Sequence, residues 1–334
     1  FAIPFFALGF ITSVAVQAAE NKTPDAINRT VNTQPLMLTA GVAIYRAWLA
    51  AGGAKPQWLA GHSLGEYSAL VAAESLAFAD AVKLVRLRAE AMQSAVPEGA
   101  GAMAAILGLE DADIMAACAE AAQGEVVSAV NLNAPGQVVI AGQKTAVDRA
   151  IEACKARGAK RALALPVSVP SHCALMQPAA EKLALALAET PLHAPTIPVI
   201  HNADVASYTE AAAIRDTLAR QLYQPVRWTE TIAYLVAQGV TQHVECGPGK
   251  VLAGLGKRID KAVNTLALTD AAAIEAAMKR AAEKKAQNTD APAEAKPKMD
   301  DDAKKAVIQA AMERAAARKA AKRILLKSRA IFPA

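Results

Sequence analysis

Gly61-His62-Ser63-Leu64-Gly65 is the stretch of this 334-residue chain best suited to chemistry. Ser63 stands between two glycines, after the apolar run Trp58-Leu59-Ala60 and before a helical pattern from Glu66 through Tyr67, Leu70 and Val71 toward Leu76. Strand, tight turn and helix in that order form the setting of a nucleophile elbow, which lifts a serine hydroxyl clear of the backbone. The glycines let the chain take the strained turn and leave room for a substrate. The helix that follows aims its free N–H groups at any oxyanion formed there. A serine is a weak nucleophile until a base takes its proton, so a histidine must come from elsewhere in the chain. Of the five, His62 sits beside the serine with its side chain directed away and is read as structural. His193 precedes a proline-rich turn, His201 ends a strand and His243 precedes one. His172, in Pro170-Ser171-His172-Cys173, falls in a loop that returns from one unit of the chain into another. A cleft between two units lies in such a place, and His172 is the preferred base.

The elements that must hold these residues alternate. A helix is expected over Pro35 to Ala51, with Pro35 in its first turn and Gly52-Gly53 ending it, then the elbow and its helix, then a helix from Phe78 to Met92. Between about Gly99 and Val169 the order becomes strand, helix, strand, strand, helix, strand, which is the ferredoxin-like arrangement. Helices and short apolar strands resume after it, so the small unit is inserted in a larger α/β one. The expected division is 1–23, an apolar signal-like or replaced segment; 24–98 with 170–280, the large α/β subdomain; 99–169, the small subdomain; 281–302, a disordered linker; and 303–334, a basic helical tail.

Composition narrows the classes. Hydrophobic residues make up 54% of the chain and aromatics only 4%, with alanine abundant, which favours helix. The net charge of +5 belongs to the tail: residues 281–334 carry 13 Lys and Arg against 7 Asp and Glu, the rest 23 against 24. A near-neutral body argues against nucleic acid as its partner. Cys118, Cys154, Cys173 and Cys246 are widely spaced, with no C-x-x-C and no histidine at zinc spacing, so no metal site and a reducing compartment are expected. Residues 1–19 are uncharged and end in Val16-Gln17-Ala18-Ala19-Glu20, like an export signal. An export signal and a fragment packed on the domain behind it stand level, whereas Pro4 and Gly9 weaken a spanning helix.

Gly61-His62-Ser63-Leu64-Gly65-Glu66-Tyr67-Ser68, Arg86-Leu87-Arg88, Asn131-Leu132-Asn133-Ala134-Pro135-Gly136-Gln137, Pro170-Ser171-His172-Cys173, Arg220-Gln221-Leu222-Tyr223 and Gly247-Pro248-Gly249-Lys250 occur in one order. In that order they resemble the malonyl-CoA:acyl-carrier-protein transacylases of bacterial fatty acid synthesis, over about Pro24 to about Ala267. The resemblance implies an α/β-hydrolase-like large subdomain with a parallel sheet and an inserted ferredoxin-like small subdomain. It makes Ser63 the acylated nucleophile and His172 its base, held by the main-chain carbonyl of Gln221 without a carboxylate. Arg88 corresponds to the arginine that clamps the malonyl carboxylate, so its loss is expected to remove the preference for malonyl. Gln34 corresponds to a glutamine near the site, Leu64 gives an oxyanion N–H, and Asn131 with Asn133 shapes the wall of the cleft. Malonyl-CoA and acyl carrier protein are the implied partners of a cytoplasmic monomer without cofactor, metal or firm membrane association.

Family members begin with a strand and a G-Q-G-S-Q loop that supplies a second oxyanion donor, and nothing like it occurs here. A serine thioesterase or esterase of the same fold, and an impaired protein that binds acyl carrier protein or coenzyme A, are the alternatives.

Overall fold

A computed structural model describes residues 30–167 and 169–288, with side chains described as far as residue 281. The chain divides into two units, Phe1–Ala281 and Ala282–Ala334, and the site lies wholly in the first. The apolar segment 1–23, residues 289–302 of the expected linker and the expected tail helix over 303–334 lie outside the described residues.

Helix α1 spans Thr30–Ala50, five residues longer at its start than the proline suggests, with Pro35 inside it. The extra turn has a visible use, because it carries Gln34 onto the same buried stripe as Leu38 and Val42. Gly52 ends the helix at φ 87°, a left-handed conformation that glycine adopts without a Cβ penalty. After strand β1 (Leu59–Ala60) come α2 (Gly65–Ala72) and α3 (Phe78–Ser94). On α3 the buried positions Ala81, Leu84, Val85, Arg88 and Met92 recur at helical spacing, so Arg88 occupies a core position in a row of apolar residues.

The small unit contains β2 (Gly101–Leu107), α4 (Asp111–Ala122), β3 (Val127–Ala134), β4 (Gln137–Gln143), α5 (Lys144–Ala156) and β5 (Arg161–Ala164). Its four strands form one antiparallel sheet in the order β3-β4-β2-β5, the ferredoxin-like arrangement. Both helices pack their apolar faces on it through Ile106, Ile114, Val138, Ile140, Val147 and their neighbours. Burying a side chain of this size contributes about 1.5–3 kcal/mol, so this core is the main support of the unit.

The return into the large subdomain runs through α6 (Gln177–Glu189), β6 (Val199–Ile200), α7 (Ala211–Arg220), α8 (Trp228–Ala237), β7 (Gln242–Cys246), α9 (Val251–Ile259), β8 (Asn264–Leu268) and α10 (Ala271–Asn288). Its strands pair in parallel as β1 with β6 and β7 with β8. Strand β8 and helices α9 and α10 had no counterpart in the sequence reading, because their apolar residues are short runs among alanine and lysine. Helix α10 also corrects the expected linker, whose first residues are helical as far as Asn288. The two subdomains are joined by backbone: Leu132 N–H donates to Val226 O (2.9 Å) and Val226 N–H to Val130 O (2.8 Å). That seam sets the outer edge of β3 against the large subdomain, close to the elbow.

Candidate active site

The elbow forms because Gly61 has no side chain. A Cβ there would lie 1.9 Å from the carbonyl carbon of Gly65, so only glycine lets the strand end and the helix start approach so closely. Ser63 between them takes φ 52°, a conformation unusual for a residue with a side chain and found at strained functional turns. Two buried side chains hold the turn in this state. Asn202 accepts from Ser63 N–H through Oδ1 (2.6 Å) and donates from Nδ2 to Gly61 O (2.7 Å). Gln221 donates from Nε2 to Ser63 O (3.0 Å).

His172 approaches the elbow from the segment that returns from the small subdomain, and both its ring and its backbone are held at the end of α7. Its Nδ1 lies 2.7 Å from Gln221 O. A carbonyl can only accept, so the proton sits on Nδ1 and Nε2 is left bare. Nε2 lies 2.8 Å from Ser63 Oγ, where it accepts the hydroxyl proton. His172 itself takes φ 66°, and its N–H donates to Leu222 O (3.0 Å). Burial, with the Arg88 cation next in weight, lowers the pKa of His172 to about 3. The imidazole is therefore neutral at physiological pH, the form a general base requires.

Arg88 is 1% exposed. Nη1 donates to Gln34 Oε1 (2.8 Å), and Nη2 donates to Ser63 Oγ (3.1 Å) and Gln221 Oε1 (3.0 Å). Its guanidinium lies over the Tyr67 ring, 5.8 Å from the centroid. A buried cation needs a counter-charge, and the nearest one in the network is Glu66, fully buried on the first turn of α2. Glu66 accepts from Gln221 Nε2 (2.9 Å), Asn202 N–H (2.9 Å) and His201 Nδ1 (2.6 Å). The Gln221 amide thus bridges carboxylate and guanidinium, while its own carbonyl holds the histidine. At the edge of this cluster His62 Nε2 bonds Asn133 Oδ1 (2.8 Å), and burial lowers the His62 pKa.

The structure brings Ser63, His172, Arg88, Gln34 and Gln221 into one hydrogen-bonded group. Leu64 N–H, directly after the serine, makes no hydrogen bond among the described residues and remains available to an oxyanion. Asn131 is different: it pairs by backbone with Val226, its Oδ1 is buried without a partner among the described residues, and no hydrogen bond links it to the group. Glu66 and Asn202 were not among the residues singled out from sequence, and His201 was weighed there only as a base. Glu66 carried a signal, the one charged residue of a short helix, on its first turn. Asn202 carried none, because its role depends on contacts 139 and 141 residues away. Burial raises the Cys173 thiol to about 11, so the cysteine next to the base is not a competing nucleophile.

A serine whose proton a neutral imidazole can take is able to hold an acyl group as an ester and release it to a second acceptor, and the buried cation beside it favours acyl groups with a negative charge. Such chemistry on this two-subdomain fold is that of a serine acyltransferase. The family model "Acyl transferase domain" matches residues 8–290. The malonyl CoA-acyl carrier protein transacylase of Escherichia coli K12 is 60% identical over 254 residues, which cover 76% of this chain and 82% of that protein. The protein of the same name from Bacillus subtilis is 46% identical over 256 residues, with 76% and 80% covered. Among solved structures, an acyl carrier protein S-malonyltransferase from Vibrio cholerae superposes with TM-score 0.78 at 54% identity, covering 83% of this chain and 93% of that one. A malonyl-transacylase in complex with a type II PKS acyl-carrier protein also gives TM-score 0.78, at 50% identity with 82% and 91% covered. The chain belongs to the malonyl CoA-acyl carrier protein transacylases of the acyl transferase family.

Proposed function

We propose that the chain moves the malonyl group from malonyl-CoA to the phosphopantetheine thiol of acyl carrier protein, for fatty acid synthesis. The observation that carries this reading is the position of Arg88, buried and 3.1 Å from the nucleophilic oxygen, where a guanidinium can pair with a carboxylate on the acyl group. Ser63 Oγ attacks the thioester carbonyl while His172 Nε2 takes its proton. The oxyanion is met by Leu64 N–H. Collapse breaks the C–S bond, and His172 returns the proton to the leaving thiolate of coenzyme A. The carrier thiol then attacks the malonyl-serine ester with His172 again moving the proton, a ping-pong scheme.

Gln221 keeps the histidine tautomer through its carbonyl and orients Arg88 through its side chain, with Gln34 holding the guanidinium on its other face. Asn131 lies in the cleft wall at the seam. Residues 24–98 with 170–280 act as the large subdomain and 99–169 as the small one. The reaction uses no metal or bound cofactor, and the near-neutral body speaks for a protein partner over a nucleic acid. No helix among the described residues is long and apolar enough to cross a membrane. The four free cysteines fit a reducing compartment, and the chain is read as a cytoplasmic monomer.

Intact-mass measurement after incubation with malonyl-CoA tests the scheme. The expected result is a malonyl adduct on Ser63 that persists until acyl carrier protein is added and is then lost to it. Loss of the adduct to water before carrier protein is added would make the chain a hydrolase. No adduct at all would make it a binding protein.

A further inference from the structure

A guanidinium has five N–H groups, and in this site three of Arg88's are engaged. One on Nη1 donates to Gln34, and both on Nη2 are used, by Ser63 Oγ and Gln221 Oε1. Nε is buried and has no partner among the described residues. The N–H groups left over, on Nε and Nη1, do not lie on one edge of the guanidinium. A carboxylate bound through a parallel fork needs two adjacent N–H groups, and each such pair contains one from Nη2. Binding of a carboxylate therefore displaces an acceptor already present. Gln221 is fully buried and tied at its other end to Ser63 O and Glu66, so it stays. Ser63, half-buried where Gln34 and Gln221 are buried, carries the acceptor that gives way, and its Oγ keeps its bond to His172.

We propose that Arg88 caps Ser63 in the unliganded site and that a carboxylate arriving at Arg88 removes the cap, so that the acyl group's own acid switches on the nucleophile. The capped oxygen receives a charge-assisted hydrogen bond on one of its two lone pairs, which draws electron density from the nucleophile. Uncapping frees that lone pair. It also neutralises the cation that ranks second, after burial, among the causes lowering the His172 pKa, which makes the base stronger. Discrimination against acetyl then arises in the chemical step as well as in binding. A small carboxylate supplied separately from the acyl group fills the same place and confers a further activity, formate-dependent acetyl transfer. In that reaction Ser63 Oγ bonds the acetyl carbon, the C–S bond to coenzyme A breaks, and the serine proton passes through His172 to the departing thiolate. The carrier thiol reverses these steps, and formate is unchanged.

The inference rests on the malonyl transfer proposed above. The test uses the full chain with acetyl-CoA and acyl carrier protein, in sodium formate or in sodium chloride of equal ionic strength. A second readout is the labelling rate of Ser63 by an uncharged fluorophosphonate, followed by intact mass. Losing one charge-assisted hydrogen bond corresponds to about tenfold, so formate is expected to raise both acetyl transfer and labelling by about that factor while chloride does neither. Arg88→Ala is expected to label faster than wild type in chloride and to ignore formate. Should that variant fail to fold, the wild-type arms decide alone. Malonyl transfer in a preparation where formate leaves labelling and acetyl transfer unchanged, or slows either, overturns this inference only. Absence of malonyl transfer in the same preparation overturns the reading it rests on.

Discussion

The two cores of this molecule are built from different material. Around Ser63 the interior holds Glu66, Arg88, His172, His201, Asn202 and Gln221, all buried and all hydrogen-bonded to one another. Across the seam, the core under the four-stranded sheet is apolar, and none of the buried polar or charged residues among those described falls between Gly101 and Ala164. The sheet core needs only volume and pattern, and tolerates any hydrophobic side chain that fits. The polar core needs each partner in place, because an unpaired group in a dry interior costs more than a paired one contributes. The difference teaches where chemistry is stored: the strained φ values of Ser63 and His172 are held by the polar core, and the sheet core holds a wall.

The comparison breaks most sharply on rate. His172→Ala is expected to lower malonyl transfer by about 10² to 10⁴-fold, the share of a general base, while Ile140→Ala in the sheet core leaves kcat per folded molecule unchanged. Steady-state transfer normalised to folded protein measured by circular dichroism decides, and equal losses in the two variants would dissolve the distinction. Stability separates the cores less, but by different mechanisms. Glu66→Ala leaves the Arg88 cation without its counter-charge and is expected to cost about 3–5 kcal/mol. Ile140→Ala leaves a cavity and costs about 2–5 kcal/mol. Urea unfolding measures both, and Glu66→Gln, which removes the charge but keeps an acceptor, should recover part of the first loss. Full loss in that variant would show that charge alone is at issue.

Taken per pH unit, the smallest effect is in the pH dependence. The folded chain holds the His172 pKa near 3 against an ordinary 6.5, so between those values the unfolded chain binds a proton that the folded one refuses. Its contribution to stability is present above about pH 6.5 and is lost as pH falls toward 3, by at most about 1.4 kcal/mol per pH unit. Unfolding free energies of wild type and His172→Gln at several pH values isolate this from His62 and His243, and the gap between them should change across that window. The penalty of Ile140→Ala should stay constant over the same range. A constant gap for both variants would mean that His172 is not held neutral by the fold.

Much of this was legible along the chain. The elbow could be read because strand, glycine turn and helix are local features, with hydrogen bonds that span few residues. The six elements of the small unit were readable for the same reason, since hydrophobic period alone distinguishes its strands from its helices. Helix α10 was not, because alanine and lysine serve equally in a buried helix and a solvated linker, and only Ile274 and Ala277 against Leu268 decide between them. The loop position pointed to His172 and family resemblance located Arg88 and Gln221, but neither showed why the arginine touches the nucleophile.

The sequence by itself determined the nucleophile and its tight turn, the apolar pattern of both subdomains and, through the family resemblance, an arginine for the carboxylate. Tertiary structure alone decided which groups complete the site. Ser63 meets His172 across 109 residues, Glu66 meets Gln221 across 155, and Asn202 reaches back 141 to Gly61. Such partners leave no periodic trace, because a hydrogen bond between distant segments depends on where two backbones cross and not on the spacing of residues within either one.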